Sequence, residues 1–168
     1  MAGTGGVIEN WRAAMREAGV THVIGIPDTV TAPLFADSSG CRDQQTWPRV
    51  IAVCREGEAF ALAAGLWAGG ARPLVWIQST GLFEAGDGLR SVAHELNAPL
   101  DIVVGWRGRS GKLNAGHPDT ARDWLEPTLF AWRINYQVAA GPEAVELEDW
   151  LRRGADREQD VRVLVIPQ

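Results

Sequence analysis

The chain has 168 residues, 46% of them hydrophobic and eight of them Trp, which is enough to build one globular domain with a substantial core. A net charge of −5 without a concentrated basic stripe argues against a nucleic-acid surface. The N-terminus has no basic region followed by an apolar core, and no apolar run approaches the length of a membrane span. We therefore expect a single cytoplasmic domain over residues 1–168, with no membrane contact and with two reduced cysteines.

In chain order, the apolar pattern predicts a helix at 7–18, a strand at 23–26, a short helix at 31–37, a surface connection at 38–48 and a strand at 50–54. It continues with an Ala-rich helix to about residue 68, a strand at 73–78, a turn at 79–81, a moderately helical segment at 83–96 and a strand at 101–105. A long loop at 106–120 precedes a helix at 121–132 with a break before Pro127, a strand at 135–139, a helix at 143–153 and a strand at 161–166. This alternation predicts an α/β fold, a parallel sheet with helices on both faces.

Two acids stand where the strand at 50–54 meets its helix. The strand is uniformly apolar, so we expect it to be buried on both faces. Glu56 and Glu58 follow it in the first helical turn, at the sheet edge where open α/β folds bind ligands. Spacing alone leaves two interpretations open, because the helix dipole also favours ordinary acids in a first turn.

The residues around Glu56 resemble the segment that carries the catalytic glutamate in thiamine-diphosphate enzymes. The sequence Arg55-Glu56-Gly57-Glu58-Ala59 is followed by Gly65, nine residues after Glu56, as the glycine follows the acid in that family. The resemblance implies that Glu56 hydrogen-bonds the N1′ atom of the cofactor's aminopyrimidine ring. This bond activates the C2 carbon of the thiazolium, and the protein supplies position and proton control.

Three further turns are similar to those of phosphonopyruvate and sulfopyruvate decarboxylases. Residues 25–29 (GIPDT) resemble the family's GVPDS turn, residues 78–82 (QSTGL) its QNSGL turn, and residues 105–108 (GWRG) its GWRG loop. The resemblance covers about residues 19–136 and is to the pyrimidine-binding half of those enzymes. It implies the fold of that half, with cofactor contacts from Glu56, Pro27, Thr80, Gly81 and Leu82.

The same resemblance implies catalytic roles for Asp28 and His117 beside Glu56. The residues themselves leave both roles open. Asp28 follows Pro27 at a strand end, where an acid commonly forms a turn or caps a helix. His117 lies in the polar loop at 106–120, where a solvated histidine is equally ordinary.

A second, pyrophosphate-binding half holds magnesium and the diphosphate in this family, and its mark is GDG after a strand with a later Asn. Gly86-Asp87-Gly88 follows Phe83-Glu84-Ala85, which is not the end of an apolar strand, and Asn114 lies in a polar loop. We therefore expect no metal ligands in this chain.

The resemblance then implies a partner, a pyrophosphate-binding (beta) subunit that holds Mg2+ and the diphosphate in a heterotetramer or larger assembly, as in two-subunit sulfopyruvate decarboxylases. Trp67, Trp76 and Trp106 fall on elements expected to meet such a partner.

The implied function is decarboxylation of a small 2-oxoacid. Two alternatives stay open: a subunit of a thiamine-diphosphate carboligase, and a catalytically silent scaffold subunit. Ala32 stands where the family turn places a basic residue, and Phe83 and Glu84 replace a glycine and an asparagine. The loss of a cation and the gain of a carboxylate favour a 2-oxoacid without a second strong anion.

Overall fold

Six strands form one sheet in the computed structural model, which describes residues 4–36, 48–109, 120–141, 144–154 and 160–168. The strands are β1 (His22–Gly25), β2 (Arg49–Ala52), β3 (Pro73–Gln78), β4 (Asp101–Trp106), β5 (Asn135–Val138) and β6 (Arg162–Pro167). Their order is β2-β1-β3-β4-β6-β5, and every neighbouring pair is parallel. The predicted fold class is confirmed.

Helices cover both faces of the sheet. They are α1 (Thr4–Glu17), α2 (Ala32–Ala36), α3 (Glu56–Ala68), α4 (Ser79–Glu84), α5 (Gly86–Arg90), a π-helical segment (Ser91–Glu95), α6 (Ala121–Ala131) and α7 (Ala144–Arg153). One buried apolar cluster lies under α3, α4, α5 and α6, and a second lies under α1, α2 and α7. Among the described helices, none is long and apolar enough to cross a membrane.

The position of β2 corrects one prediction. The strand at 50–54 was expected to be buried on both faces, but β2 is an edge strand whose residues are exposed or half-buried, and Cys54 beyond it is exposed. An apolar run has the same composition at an edge as in the centre of a sheet, so the sequence could not distinguish them. The central strands β3 and β4 are, by contrast, almost wholly buried.

Two helical details also differ from the predictions. Residues 79–81 do not form a turn but the first turn of α4, which begins directly where β3 ends. Pro127 does not break α6, which is continuous through it. Leu125 and Leu129 on either side of Pro127 are fully buried in the core, and this packing holds the helix together despite the lost backbone hydrogen bond.

Two of the three Trp residues on elements expected to meet a partner lie in the core. Trp76 is 1% exposed and Trp106 is 2% exposed, and the expectation that their elements meet a partner stays a prediction. Each lies on a central strand that helices cover, so its ring is enclosed by this chain. Trp67, on α3, is 37% exposed and remains at the surface.

A buried charge cluster lies at the amino edge of the sheet. Asp101 is 4% exposed, and its carboxylate accepts a hydrogen bond from Arg162 Nε at 2.7 Å and contacts Arg72 at 3.5 Å. The Arg162 guanidinium also lies 4.0 Å from the ring of Trp150 on α7. Both arginines donate to the carbonyl oxygen of Leu151. The cluster therefore joins β4, β6 and the residue before β3 to α7, at the edge opposite the carboxyl ends of the strands.

Candidate functional site

The strand order reverses beside β1. From β1 the chain crosses to β2 on one side and then to β3 on the other, so the carboxyl ends of β1 and β3 flank the point where ligands bind in open α/β sheets. Gly25 ends β1 there, and a Cβ at this position would lie 1.8 Å from the carbonyl oxygen of Trp76. Only glycine therefore allows the two strands to approach this closely.

Glu56 lies against Gly81 at this edge of the sheet. Glu56 is the first residue of α3 and half-buried, and Gly81 is in α4, the helix that follows β3. A Cβ at position 81 would lie 2.1 Å from Glu56 Oε1 and 2.4 Å from its Cδ. The carboxylate therefore occupies the space that a side chain at 81 would take. Two residues predicted from separate motifs are thus brought together in one crevice.

The two acids of the first turn of α3 have different surroundings. Glu58 Oε2 accepts hydrogen bonds from the backbone N–H groups of Cys54, at 3.0 Å, and Arg55, at 3.2 Å. Glu58 thus performs the ordinary structural task of an acid at a helix start. In the described part of the chain, no hydrogen bond to the carboxylate of Glu56 is found, so this carboxylate is left available to a ligand.

Asp28 forms the turn that leads into α2. Its Oδ1 accepts hydrogen bonds from the N–H of Val30 at 2.8 Å, the N–H of Thr31 at 2.7 Å and the hydroxyl of Thr31 at 2.9 Å. These hydrogen bonds are those of an Asx turn, so Asp28 has the structural role of a turn and cap residue. They engage one carboxylate oxygen, and the predicted catalytic role of Asp28 stays a prediction.

The other predicted site residues differ in how they are placed. Pro27 and Thr80 are exposed at the carboxyl edge, and the Thr80 hydroxyl lies 3.2 Å from Gln78 Oε1. Leu82 is fully buried in the core, so only its backbone can meet a ligand. His117 lies outside the described residues.

An ion pair spans the crevice between α3 and α4. Arg55 and Glu84 approach to 2.5 Å, and their side chains are 71% and 40% exposed. The hydrogen bond to Glu84, followed by the negative charges of Glu84, Glu58 and Glu56, raises the pKa of Arg55 above its usual value. The sequence did not predict this pair, because the two residues are 29 positions apart and no local pattern indicates that they meet.

Phe83 lines a groove between α4 and α6. The groove has a volume of about 760 Å3 and is mostly apolar. Its lining residues are Thr80, Phe83, Thr120, Ala121, Trp124, Pro127, Thr128, Ala131 and Trp132. The apolar surface that Phe83 contributes is therefore continuous with α6.

The GDG sequence lies in a helix and not at the end of a strand. Residues 86–88 begin α5, and Asp87 is paired with Arg90 at 2.9 Å. Gly88 packs near the backbone of Gly57 at the start of α3. Among the described residues, no group of three or more His, Cys, Asp or Glu side chains is placed to hold a metal ion.

Sequence comparison relates the chain to decarboxylases. Over 100 residues it is 36% identical to phosphonopyruvate decarboxylases from Streptomyces viridochromogenes and Streptomyces hygroscopicus, an alignment covering 60% of this chain and 24% of each relative. Over 58 residues it is 36% identical to the sulfopyruvate decarboxylase of Methanosarcina acetivorans, covering 34% of this chain and 15% of the relative. The chain is similar in sequence to these decarboxylases. The resemblance is confirmed, and the chain spans about a quarter of the length of the phosphonopyruvate decarboxylases it matches.

Solved structures of thiamine-diphosphate-dependent decarboxylases contain a domain with this fold. Benzoylformate decarboxylase from Polynucleobacter necessarius matches with a TM-score of 0.68 at 22% identity, over 96% of this chain and 29% of that chain. The thiamine diphosphate-dependent 4-hydroxybenzoylformate decarboxylase of Rhodococcus jostii RHA1 matches with a TM-score of 0.63 at 16% identity, over 96% of this chain and 30% of that chain. No family model matches the chain. The fold is thus that of one domain, less than a third, of these enzymes.

Proposed function

We propose that this chain is the pyrimidine-binding subunit of a two-subunit thiamine-diphosphate-dependent 2-oxoacid decarboxylase, in which Glu56 activates the cofactor's aminopyrimidine ring. The contact between Glu56 and Gly81 at the carboxyl edge of the sheet carries this proposal. The sequence similarity to phosphonopyruvate and sulfopyruvate decarboxylases supports the reaction class.

The residues of the crevice fit an aminopyrimidine ring. Glu56 is half-buried, and no described residue donates to its carboxylate, so this group can share a proton with a ring nitrogen. Gly81 leaves room for the carboxylate, because a side chain there would displace it. Glu58 fixes the backbone that leads into Glu56. When bound, the cofactor supplies the reactive carbon and the electron sink for decarboxylation.

The diphosphate and Mg2+ are assigned in this proposal to a pyrophosphate-binding partner in a heterotetramer or larger assembly. The helical position of the GDG sequence supports this division, because Asp87 faces Arg90 and not a strand-end pocket. Titration calorimetry with thiamine diphosphate and magnesium is the direct measurement. The isolated chain should bind weakly, and tight stoichiometric binding would contradict the need for a partner.

The role of Glu56 is tested by Glu56→Gln, with Glu58→Gln as a matched control in the same helical turn. Glu56→Gln should lower turnover by about a thousandfold or more, because it removes the ionisable group while preserving its volume. Exchange of the C2 proton of bound thiamine diphosphate should slow in parallel. Glu58→Gln should keep activity within a few-fold, because the Gln amide oxygen can still accept the backbone hydrogen bonds.

Exchange at the wild-type rate in Glu56→Gln would show that Glu56 is not the activating group. The products separate the proposal from its alternatives. A decarboxylase releases the aldehyde derived from the oxoacid, a carboligase releases a condensation product, and a silent scaffold consumes no oxoacid.

A further inference from the structure

The ion pair between Arg55 and Glu84 lies directly beside the proposed site. Arg55 precedes Glu56 in the chain, and Glu84 follows Gly81 by three residues in α4. Residues three apart in a helix share a face, so Glu84 lies one turn along α4 from the glycine that contacts Glu56. The pair at 2.5 Å therefore closes the same crevice between α3 and α4 that Glu56 and Gly81 form.

We infer that Glu84 determines the substrate class of this site by occupying Arg55, so that the site disfavours 2-oxoacids that carry a second strong anion. This inference rests on the proposed function. Arg55 is the cation adjacent to Glu56, and a phosphonate or sulfonate group would have to displace Glu84 to pair with it. A 2-oxoacid with a neutral side chain has no second anion that requires this cation.

The surrounding charges act in the same direction. Arg55 interacts with Glu56 and Glu58 as well as with Glu84, so one guanidinium faces three carboxylates. The described charges around Arg55 are therefore more negative than positive, which disfavours a second anion at this guanidinium. Arg109, on the turn after β4, has its guanidinium 4.7 Å from the ring centroid of Trp106 and so has an aromatic partner of its own.

The effect of releasing Arg55 is modest because both partners are exposed to solvent. Release of an exposed ion pair changes the affinity for a competing anion by about fivefold, and removal of the Glu84 charge adds to this by relieving repulsion. We therefore expect Glu84→Gln to favour dianionic ligands by about fivefold or more.

A direct binding test uses the chain alone and does not depend on catalysis. Phosphonoacetate, which has a carboxylate and a phosphonate but no keto group, is titrated into the chain while the side-chain Nε–H signal of Arg55 is followed by NMR. Glu84→Gln should bind the probe at least fivefold more tightly than the wild-type chain. Glu95→Gln is the matched control, because Glu95 forms a similarly exposed 2.5 Å pair with Arg90 outside the crevice, and it should leave affinity unchanged. Equal affinity in wild type and Glu84→Gln, or an unmoved Arg55 signal, would overturn the inference.

Kinetics then separate this inference from the proposed function. In a complex with the partner, the ratio of kcat/KM for phosphonopyruvate to that for pyruvate should rise at least fivefold in Glu84→Gln and stay constant in Glu95→Gln. Turnover with an unchanged ratio overturns the inference and leaves the proposed function standing. Tighter probe binding without turnover of any 2-oxoacid supports the role of Glu84 in anion selection and refutes the decarboxylase.

Discussion

Gly81→Ala tests whether the contact between Glu56 and Gly81 is the working geometry of the site. The added Cβ would lie 2.1 Å from Glu56 Oε1 and 2.5 Å from its Cγ, whereas ordinary contact begins near 3.4 Å, so the whole side chain has to rotate and the carboxylate has to move by about 1.3 Å or more. A displacement of about 1 Å at a reacting group costs roughly a hundredfold in rate. We therefore expect turnover and C2 proton exchange to fall by about two orders of magnitude.

The same substitution should hardly change stability. Ala is favoured over Gly in a helix by up to about 1 kcal/mol, while an off-rotamer Glu56 costs about 0.5–1.5 kcal/mol, and the two effects oppose each other. Urea unfolding should therefore give a free energy within about 1 kcal/mol of wild type. Gly6→Ala is the matched control, since Gly6 is also the third residue of its helix and a Cβ there meets nothing within 4 Å.

Gly6→Ala should keep full activity. If Gly81→Ala also kept wild-type exchange and turnover, the carboxylate would not need its observed position, and the assignment of Glu56 would be refuted. Loss of activity together with a loss of several kcal/mol in stability would instead show a folding defect and refute the steric explanation.

Three further predictions concern stability, pH and the turn after β1. Asp101→Asn should lower the free energy of unfolding by about 3 kcal/mol in urea titrations, because it removes the carboxylate that pairs with two partly buried guanidinium groups. A loss below about 1 kcal/mol would contradict a stabilising role for this cluster. Burial and then the charge of Arg49 lower the pKa of His22 in the folded protein. The unfolded chain therefore binds the proton more readily, and the free energy of unfolding decreases as pH falls below about 6.5. This decrease between pH 7.5 and 5.5 should be smaller in His22→Gln than in wild type. Asp28→Asn should change the free energy of unfolding by less than about 1 kcal/mol, because the amide oxygen can accept the same three hydrogen bonds. A loss of turnover in this variant would then indicate proton transfer by Asp28. Unchanged turnover would show that Asp28 is a turn residue only.

The elements that the sequence predicted best are those in which local pattern and burial agree. The strand at 73–78 is β3 with the same bounds, because its apolar run is buried along almost its whole length. Edge strand β2 has a similar apolar run, but its residues are exposed or half-buried, since burial depends on neighbours far away in the chain. Pro127 misled the prediction for the same reason, because the packing of Leu125 and Leu129 outweighs one lost hydrogen bond.

The site was predictable residue by residue but not as an arrangement. Glu56 and Gly81 each stand in a recognisable local motif. No spacing rule indicates, however, that the carboxylate of Glu56 fills the space where a side chain at position 81 would lie. The division of labour between Glu56 and Glu58 depends on which backbone N–H groups point at which oxygen. The pairing of Arg55 with Glu84 depends on how α4 packs beside α3, which no local pattern encodes.

The location of the crevice within the chain has a consequence for how the protein folds. Glu56 and Gly81 are about 25 residues apart, and one strand and one helix connect them, so bringing them together costs little loop-closure entropy. Asp101 and Arg162, at the opposite edge of the sheet, are 61 positions apart. Contacts that are local in sequence form faster than distant ones. We therefore expect the contact between Glu56 and Gly81 to form earlier in folding than the pair between Asp101 and Arg162.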